Sequence, residues 1–332
     1  MRQSRPIFQV KASENMKKLR NQIFIIAVIV FTFAVFDIGI YNLFTKRCIN
    51  NYSESLKAKS VELDEYLPFD ENSKIVKLDT SFKLTENLPV IDGAAALYPV
   101  FSAFVNSVYP ENSCSFDGKN FTPESALQYT NTRGAYKSVV DGTADIILCA
   151  SPSEEQLAYA EEKGVDLEFV PIGCEAFVFI VNKENPVDNL TAEQVRGIYS
   201  GKYKNWSEIG GENTPIAALQ RNEGSGSQTA MLSFMNGEKI KAKNTVFGKA
   251  IGFSFRYYVE GIVEDGNIKM LSLNGVYPNA ENIRNKTYPI VGEIYAVYRK
   301  DNSNANVPLL IEWMLSEEGQ RIVEKSGYIG IK

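Results

Sequence analysis

A chain of 332 residues, 44% hydrophobic and 23% charged, is long enough for two domains plus appendages and apolar enough to bury real cores. Its formal net charge of −5 argues against a general nucleic-acid binder but leaves room for local, geometric capture of an anion. There is no histidine, which excludes Ser-His-Asp and Cys-His catalysis and histidine-ligated zinc; binding is favoured over catalysis, with no enzyme activity and no cofactor expected.

Residues 1–22 are basic, with Arg2, Arg5, Lys11, Lys17, Lys18 and Arg20 against a single acid, Glu14. Residues 23–44 form an apolar run of about 22 residues with one charge, Asp37, a length that spans the hydrocarbon core of a bilayer. The positive charge ahead of it predicts a single-pass signal-anchor in the cell membrane, with the rest of the chain extracytoplasmic. A cleaved signal peptide is the competing reading. However, no small-residue A-x-A site follows the run, and Thr45-Lys46-Arg47 before Cys48 does not resemble a lipid-attachment box. Residues 45–87 are polar, with few large apolar side chains, and read as a stalk.

From residue 88 the pattern becomes one of alternating strands and helices. LPVIDG at 88–93 reads as a short buried strand ending in a turn, and 94–108 carries apolar residues at helical spacing. A helix capped by Thr132 follows over 129–140, then a buried strand at 144–150 and a charged helix at 154–164. Strand material at 169–181 is broken near Gly173, and Thr191 with Gln194 marks a capped helix over 187–201. Further strands are expected at 215–219, 249–258, 268–273 and 288–298, and one amphipathic helix at 307–322. Near-continuous apolar strands alternating with helices imply an α/β fold whose sheets are covered on both faces. Cys48, Cys114, Cys149 and Cys174 form no CxxC pair, so no metal cluster is expected; a disulfide between Cys149 and Cys174 stays open.

The stretch RNEGSGSQT at 221–229 sits between a strand and an apolar-periodic run. Glycine permits close backbone approach, a helix start presents free N–H groups at the positive end of its dipole, and a guanidinium grips an oxyanion bidentately. Arg221, Ser225, Gly226 and Ser227 are therefore a candidate anion cradle. The plainer reading is a Gly/Ser surface loop with Ser225 or Ser227 as an ordinary N-cap.

Four segments together resemble one family. IDGAAALYPVFSAFVNSVYP at 91–110, NLTAEQVRGIYSGKYKNWSEIGG at 189–211, RNEGSGSQTAM at 221–231 and LNGVYPNAENIRNKTYPI at 273–290 are similar to PstS, the phosphate-binding proteins of ABC phosphate importers. The likeness covers nearly all of 88–332. It implies a two-lobe type II periplasmic-binding-protein fold, with lobe I near 88–175 and 260–332 and lobe II near 176–259. It also implies inorganic phosphate as ligand, ABC permease subunits as partners, and no nucleic acid. Carried over by position, the first loop supplies backbone N–H groups of Ala94, Ala95 and Ala96. Thr132 and Ser151 complete the first lobe's share, and Arg221, Ser225, Gly226 and Ser227 the second's. Two positions depart from the family pattern: Ala95 stands where a hydroxyl is usual, and Ser151 where an acid is usual. That acid has a physical job, because phosphate near neutral pH carries a proton and sulfate does not; Glu223, Glu154 and Asp92 are the candidate substitutes. The alternative function is a sensor or scaffold of the same fold with an altered or lost oxyanion ligand.

Overall fold

Apolar runs and capped helical stretches alternate in space as they do along the chain. The computed structural model describes residues 61–241, 248–263 and 266–331, with 16, 20–24, 26, 28, 31–33 and 35–39 nearer the N-terminus. The chain divides into two compact units, Met1–Leu56 and Lys57–Lys332. In the second unit the strands are β1 (Ile91–Gly93), β2 (Ile146–Cys149), β3 (Leu167–Asn182), β4 (Asn189–Leu190), β5 (Ile216–Ala218), β6 (Lys249–Phe255), β7 (Ile268–Met270), β8 (Ser272–Leu273) and β9 (Val291–Arg299). The helices are α1 (Tyr98–Val108), α2 (Asn131–Asp141), α3 (Glu154–Glu162), α4 (Ala192–Tyr199), α5 (Gly226–Phe234), α6 (Ala280–Arg284), α7 (Asn306–Met314) and α8 (Glu317–Lys325).

β3 organises the unit. Its first part pairs antiparallel with β9, from Leu167↔Arg299 to Ala176↔Val291. Its last part pairs with β6, from Phe177↔Phe255 to Val181↔Ile251, and with β7. One half of the unit is thus β1-β2-β9 and the start of β3; the other is the end of β3 with β5, β6 and β7, and the small β4–β8 sheet. The break expected near Gly173 is a register shift between Pro171 and Gly173, where proline cannot donate to the ladder. The strand continues through it.

Several expectations change. The residues read as a stalk do not all lie outside the fold: Val61, Tyr66, Ile75 and Leu84 are buried in the same core as α1 and α7. Phe82 stacks on Trp313 at 6.0 Å, and Thr80 Oγ1 accepts the Trp313 indole N–H at 2.9 Å. The apolar residues of this strap are irregularly spaced, so no period betrays them. The helix expected over 307–322 is two helices, because Ser316 caps a second one by accepting the Gly319 N–H at 3.3 Å. Within the part read as returning to the first lobe, Ile268–Met270 pairs instead with β3's far end and Ser272–Leu273 with β4; the strand that pairs with the first part of β3 is β9. Cys149 and Cys174 are free thiols.

In Met1–Leu56, residues 20–24, 31–33 and 35–39 are helical, and Ile23, Phe24, Phe31 and Phe36 are exposed. Among the described residues no helix is long and apolar enough to cross a membrane. Residues 25, 27, 29, 30, 34 and 40–44 of the expected span, and 45–60 of the expected stalk, lie outside the described residues.

Candidate functional site

The sequence 221–227 is the end of the loop between β5 and α5 together with the first two residues of α5, and local chemistry shapes it. Ser225 is the N-cap: its Oγ accepts the Gln228 N–H at 3.3 Å and donates to the Asn222 carbonyl at 2.8 Å. Gly224 holds a φ of +73°, a left-handed conformation that side chains with a Cβ adopt at a cost. Buried Gln228 reaches back, its Oε1 accepting the Arg221 N–H at 2.9 Å. A Cβ on Gly226 would stand 3.4 Å from Thr132 Oγ1, an ordinary contact distance that places the start of α5 beside the start of α2.

The two helix N-termini and the 3-10 turn Ala95–Leu97 converge on a cavity of about 470 Å³. Residues 94–97, 131–133 and 221–227 line it, with Glu175, Tyr258 and Glu293 on the remaining wall. Helix starts leave N–H groups without intrahelical partners and carry the positive end of the dipole, so this concavity suits an anion. The Arg221 guanidinium lies against the Tyr258 hydroxyl; burial raises that phenol's pKa and the guanidinium works against the rise. On the outer side, Gln156 Nε2 donates to the Gly224 carbonyl at 3.4 Å, and Arg133, paired with Glu155 at 2.9 Å, packs beside Gly224. The cradle loop is therefore supported from the opposite half.

Of the residues singled out in the sequence, Ala94, Ala95, Ala96, Thr132, Arg221, Ser225, Gly226 and Ser227 come together here. Their individual parts differ from expectation. The Ala94 N–H donates to the Leu148 carbonyl at 2.9 Å and is spent on the sheet edge. Thr132 is not the cap of α2; Thr130 precedes the helix, and its hydroxyl donates to Asp92 at 2.5 Å. Ser225 has committed its hydroxyl proton to Asn222. Ser151 lies outside the cavity, exposed in a neighbouring cleft and hydrogen-bonded to Tyr295.

The three acids considered as proton acceptors separate clearly. Asp92 is fully buried and accepts from the Gly93 N–H, the Thr130 N–H and hydroxyl, and the Ser138 hydroxyl. Burial raises its pKa despite those donors. It organises the start of α2 and does not line the cavity. Glu154 opens α3, and only Glu223 reaches the rim. Sequence reasoning missed Glu175, Glu293 and Tyr258. The available signal for Glu175 was a lone acid inside the apolar run CEAFVFIV, a position where an unpaired charge is costly.

A model of the PBP superfamily domain matches residues 88–318. The phosphate-binding protein PstS of Borreliella burgdorferi is 28% identical over 180 residues, 48% of this chain and 64% of that protein, so the match spans under two thirds of that relative. PstS of Bacillus subtilis is 25% identical over 258 residues, covering 73% of this chain and 80% of that protein. A Clostridium perfringens substrate-binding protein assigned to a phosphate ABC transporter, solved with bound phosphate, superposes with a TM-score of 0.56 at 26% identity. That superposition covers 75% of this chain and all of the other. The chain belongs to the PBP superfamily and resembles its PstS phosphate-binding members.

Proposed function

We propose that the chain is an extracytoplasmic receptor that captures inorganic phosphate in the cavity between its two halves and hands it to the permease subunits of an ABC importer. The observation that carries this reading is the convergence of the α2 and α5 N-termini, with Arg221, on one cavity. The Ala95 and Ala96 N–H groups, the Thr132 and Ser227 hydroxyls, the Gly226 N–H and the Arg221 guanidinium are its donors. Ala94, Ser225 and Ser151 fall away as donors, because their hydrogen-bonding protons are used elsewhere or lie outside the cavity. In this reading residues 23–44 are a membrane anchor, supported by the basic residues ahead of them and the exposed Ile23, Phe24, Phe31 and Phe36.

Calorimetric titration of the full chain in detergent with phosphate, repeated on Arg221→Ala, tests the ligand. Saturable binding that weakens about ten- to hundredfold in the variant is expected, the value of a lost charge-assisted hydrogen bond. Absence of phosphate binding in the parent chain would leave a receptor-like fold serving as a sensor or scaffold for another ligand. The Ala95 side chain, which offers no hydroxyl, favours that second reading.

A further inference from the structure

Gln156 of α3 serves two partners with the two ends of its amide. Its Oε1 accepts the Ser153 N–H at 2.8 Å, and Ser153 Oγ accepts the Gln156 N–H at 3.3 Å, a reciprocal capping box at the start of the helix. That arrangement uses only the acceptor end of the side chain. The donor end, Nε2, crosses to the other half of the fold and donates to the Gly224 carbonyl at 3.4 Å. Gln156 is buried, so an amide that lost this partner would have little water to replace it.

A second contact lies beside the first. The Cδ and Cγ of Arg133 stand 3.4 and 3.5 Å from where a Cβ on Gly224 would be, so the arginine stem lies over the glycine. Its guanidinium pairs with Glu155 of α3 at 2.9 Å; that pair is exposed, so the packing of the stem matters more than the charge. Arg133 and Gly224 line both the anion cavity and an outer pocket formed by α2 and α3, on whose wall Gln156 also sits. They are the partition between the two spaces. On another side the cavity is bounded at Glu175 by β3, the strand common to both halves. Of these two boundaries only the one at Gly224 can part without breaking the sheet.

Building on the phosphate reading, we propose that Gln156 is a positioning residue: its amide latches the cradle loop to the first half of the fold and so sets how long the anion stays. With the bond made, Gly224 and the three residues after it are held against the start of α2, where Thr132 stands. With the bond broken, the loop parts from α2 at Gly224. Arg221 and Ser227 then separate from Ala95, Ala96 and Thr132, and the anion loses half of its donors. Such a latch exists only while the two halves are together. It therefore opposes departure and leaves arrival unaffected. Removing one neutral hydrogen bond of this kind should speed release about three- to tenfold and weaken affinity by the same factor.

The test uses the full chain in detergent. Calorimetry gives the affinity for phosphate, and chasing bound radiolabelled phosphate with excess unlabelled phosphate gives the release rate. Gln156→Glu keeps an oxygen to cap α3 and removes the donor to Gly224. Gln156→Met removes both functions without adding a charge. Ser153→Ala weakens the cap and leaves the Gln156 amide free to reach Gly224. Both Gln156 variants are expected to release phosphate about three- to tenfold faster, with the association rate of Gln156→Met within about twofold of the parent. Ser153→Ala should lower the urea midpoint and release phosphate at the parental rate. Parental release from both Gln156 variants overturns the latch and leaves the phosphate reading standing. Release from Ser153→Ala as fast as from Gln156→Met assigns the effect to the helix cap and also overturns it. Parent protein that binds no phosphate overturns both. Should Gln156→Met fail to fold, Gln156→Glu, which retains the cap, decides by its release rate.

Discussion

Gln228 shows how one buried side chain can set the shape of a binding loop. It is 4% exposed and ties both ends of the cradle together, its N–H capped by Ser225 and its Oε1 holding the Arg221 N–H. Leucine at this position keeps the volume but leaves the Arg221 N–H without its acceptor. Gln228→Leu should therefore cost about 1–3 kcal/mol of stability, read from denaturant midpoints, and weaken phosphate binding about tenfold through the displaced guanidinium. A structural role alone would lower stability and leave affinity unchanged, so the two readouts separate the possibilities. Asp92 does comparable work beneath α2. Its four donors come from β1, the Thr130 turn and Ser138, and so join the strand to the start of the helix.

At the scale of elements, the strap at 61–87 is the addition that matters. It precedes the residues matched by the family domain and packs on α1 and α7 in the core. The Ser102 hydroxyl donates to the Tyr66 carbonyl at 2.6 Å, and the Tyr98 hydroxyl donates to the Leu63 carbonyl at 3.2 Å. Thr80 links the strap to Trp313 and Glu318. Replacing Thr80 with valine removes one of the two acceptors of the Trp313 indole N–H, leaving Glu318 Oε2 at 3.2 Å, and removes the hydroxyl donor to Glu318. A loss of about 1–2 kcal/mol is expected in urea unfolding. Starting the chain at residue 88 would uncover Trp313 and part of the α1 surface. Such a fragment should unfold several degrees below the longer protein in a thermal melt, by about the area-based worth of its lost apolar contacts. The capping boxes of α3 and α4, Ser153 with Gln156 and Thr191 with Gln194, need no such tertiary support. Each pair satisfies two orphan donors from within a single turn.

At the scale of the molecule, burial of Glu175 makes stability depend on pH. Its carboxyl titrates near the usual value of 4.5 when unfolded and at about 7 when folded, so the folded state binds the proton more tightly. The group's favourable contribution is fully present below about pH 4.5 and is lost as pH rises through about 7. Asp92, raised in the same direction by burial, contributes with the same sign. Urea midpoints measured across this window should fall with rising pH in the parent protein, and the slope should be shallower in Glu175→Gln. An unchanged slope in the variant would mean that the carboxylate stays ionised in the folded state, with Arg256 outweighing desolvation.

What the sequence determined by itself is local. The βα alternation, the capped helices, the Ser-Gly-Ser turn at the start of α5 and the arginine ahead of it all follow from interactions between residues a few positions apart. Those interactions survive whatever the rest of the chain does, and the resemblance to PstS rests on them. Tertiary structure decided the rest. Only folding revealed that the strap joins the core, because its apolar residues follow no period, and that Ile268–Met270 pairs with the far end of β3. Only folding spent the protons of Ala94 and Ser225 on internal partners and left Ser151 outside the cavity. Glu175 meets Arg256 across 81 residues of chain, and a carboxylate's affinity for a proton depends on burial and on such distant charges. Spacing along a sequence carries the first kind of information; the second exists only once the chain has closed around the charge.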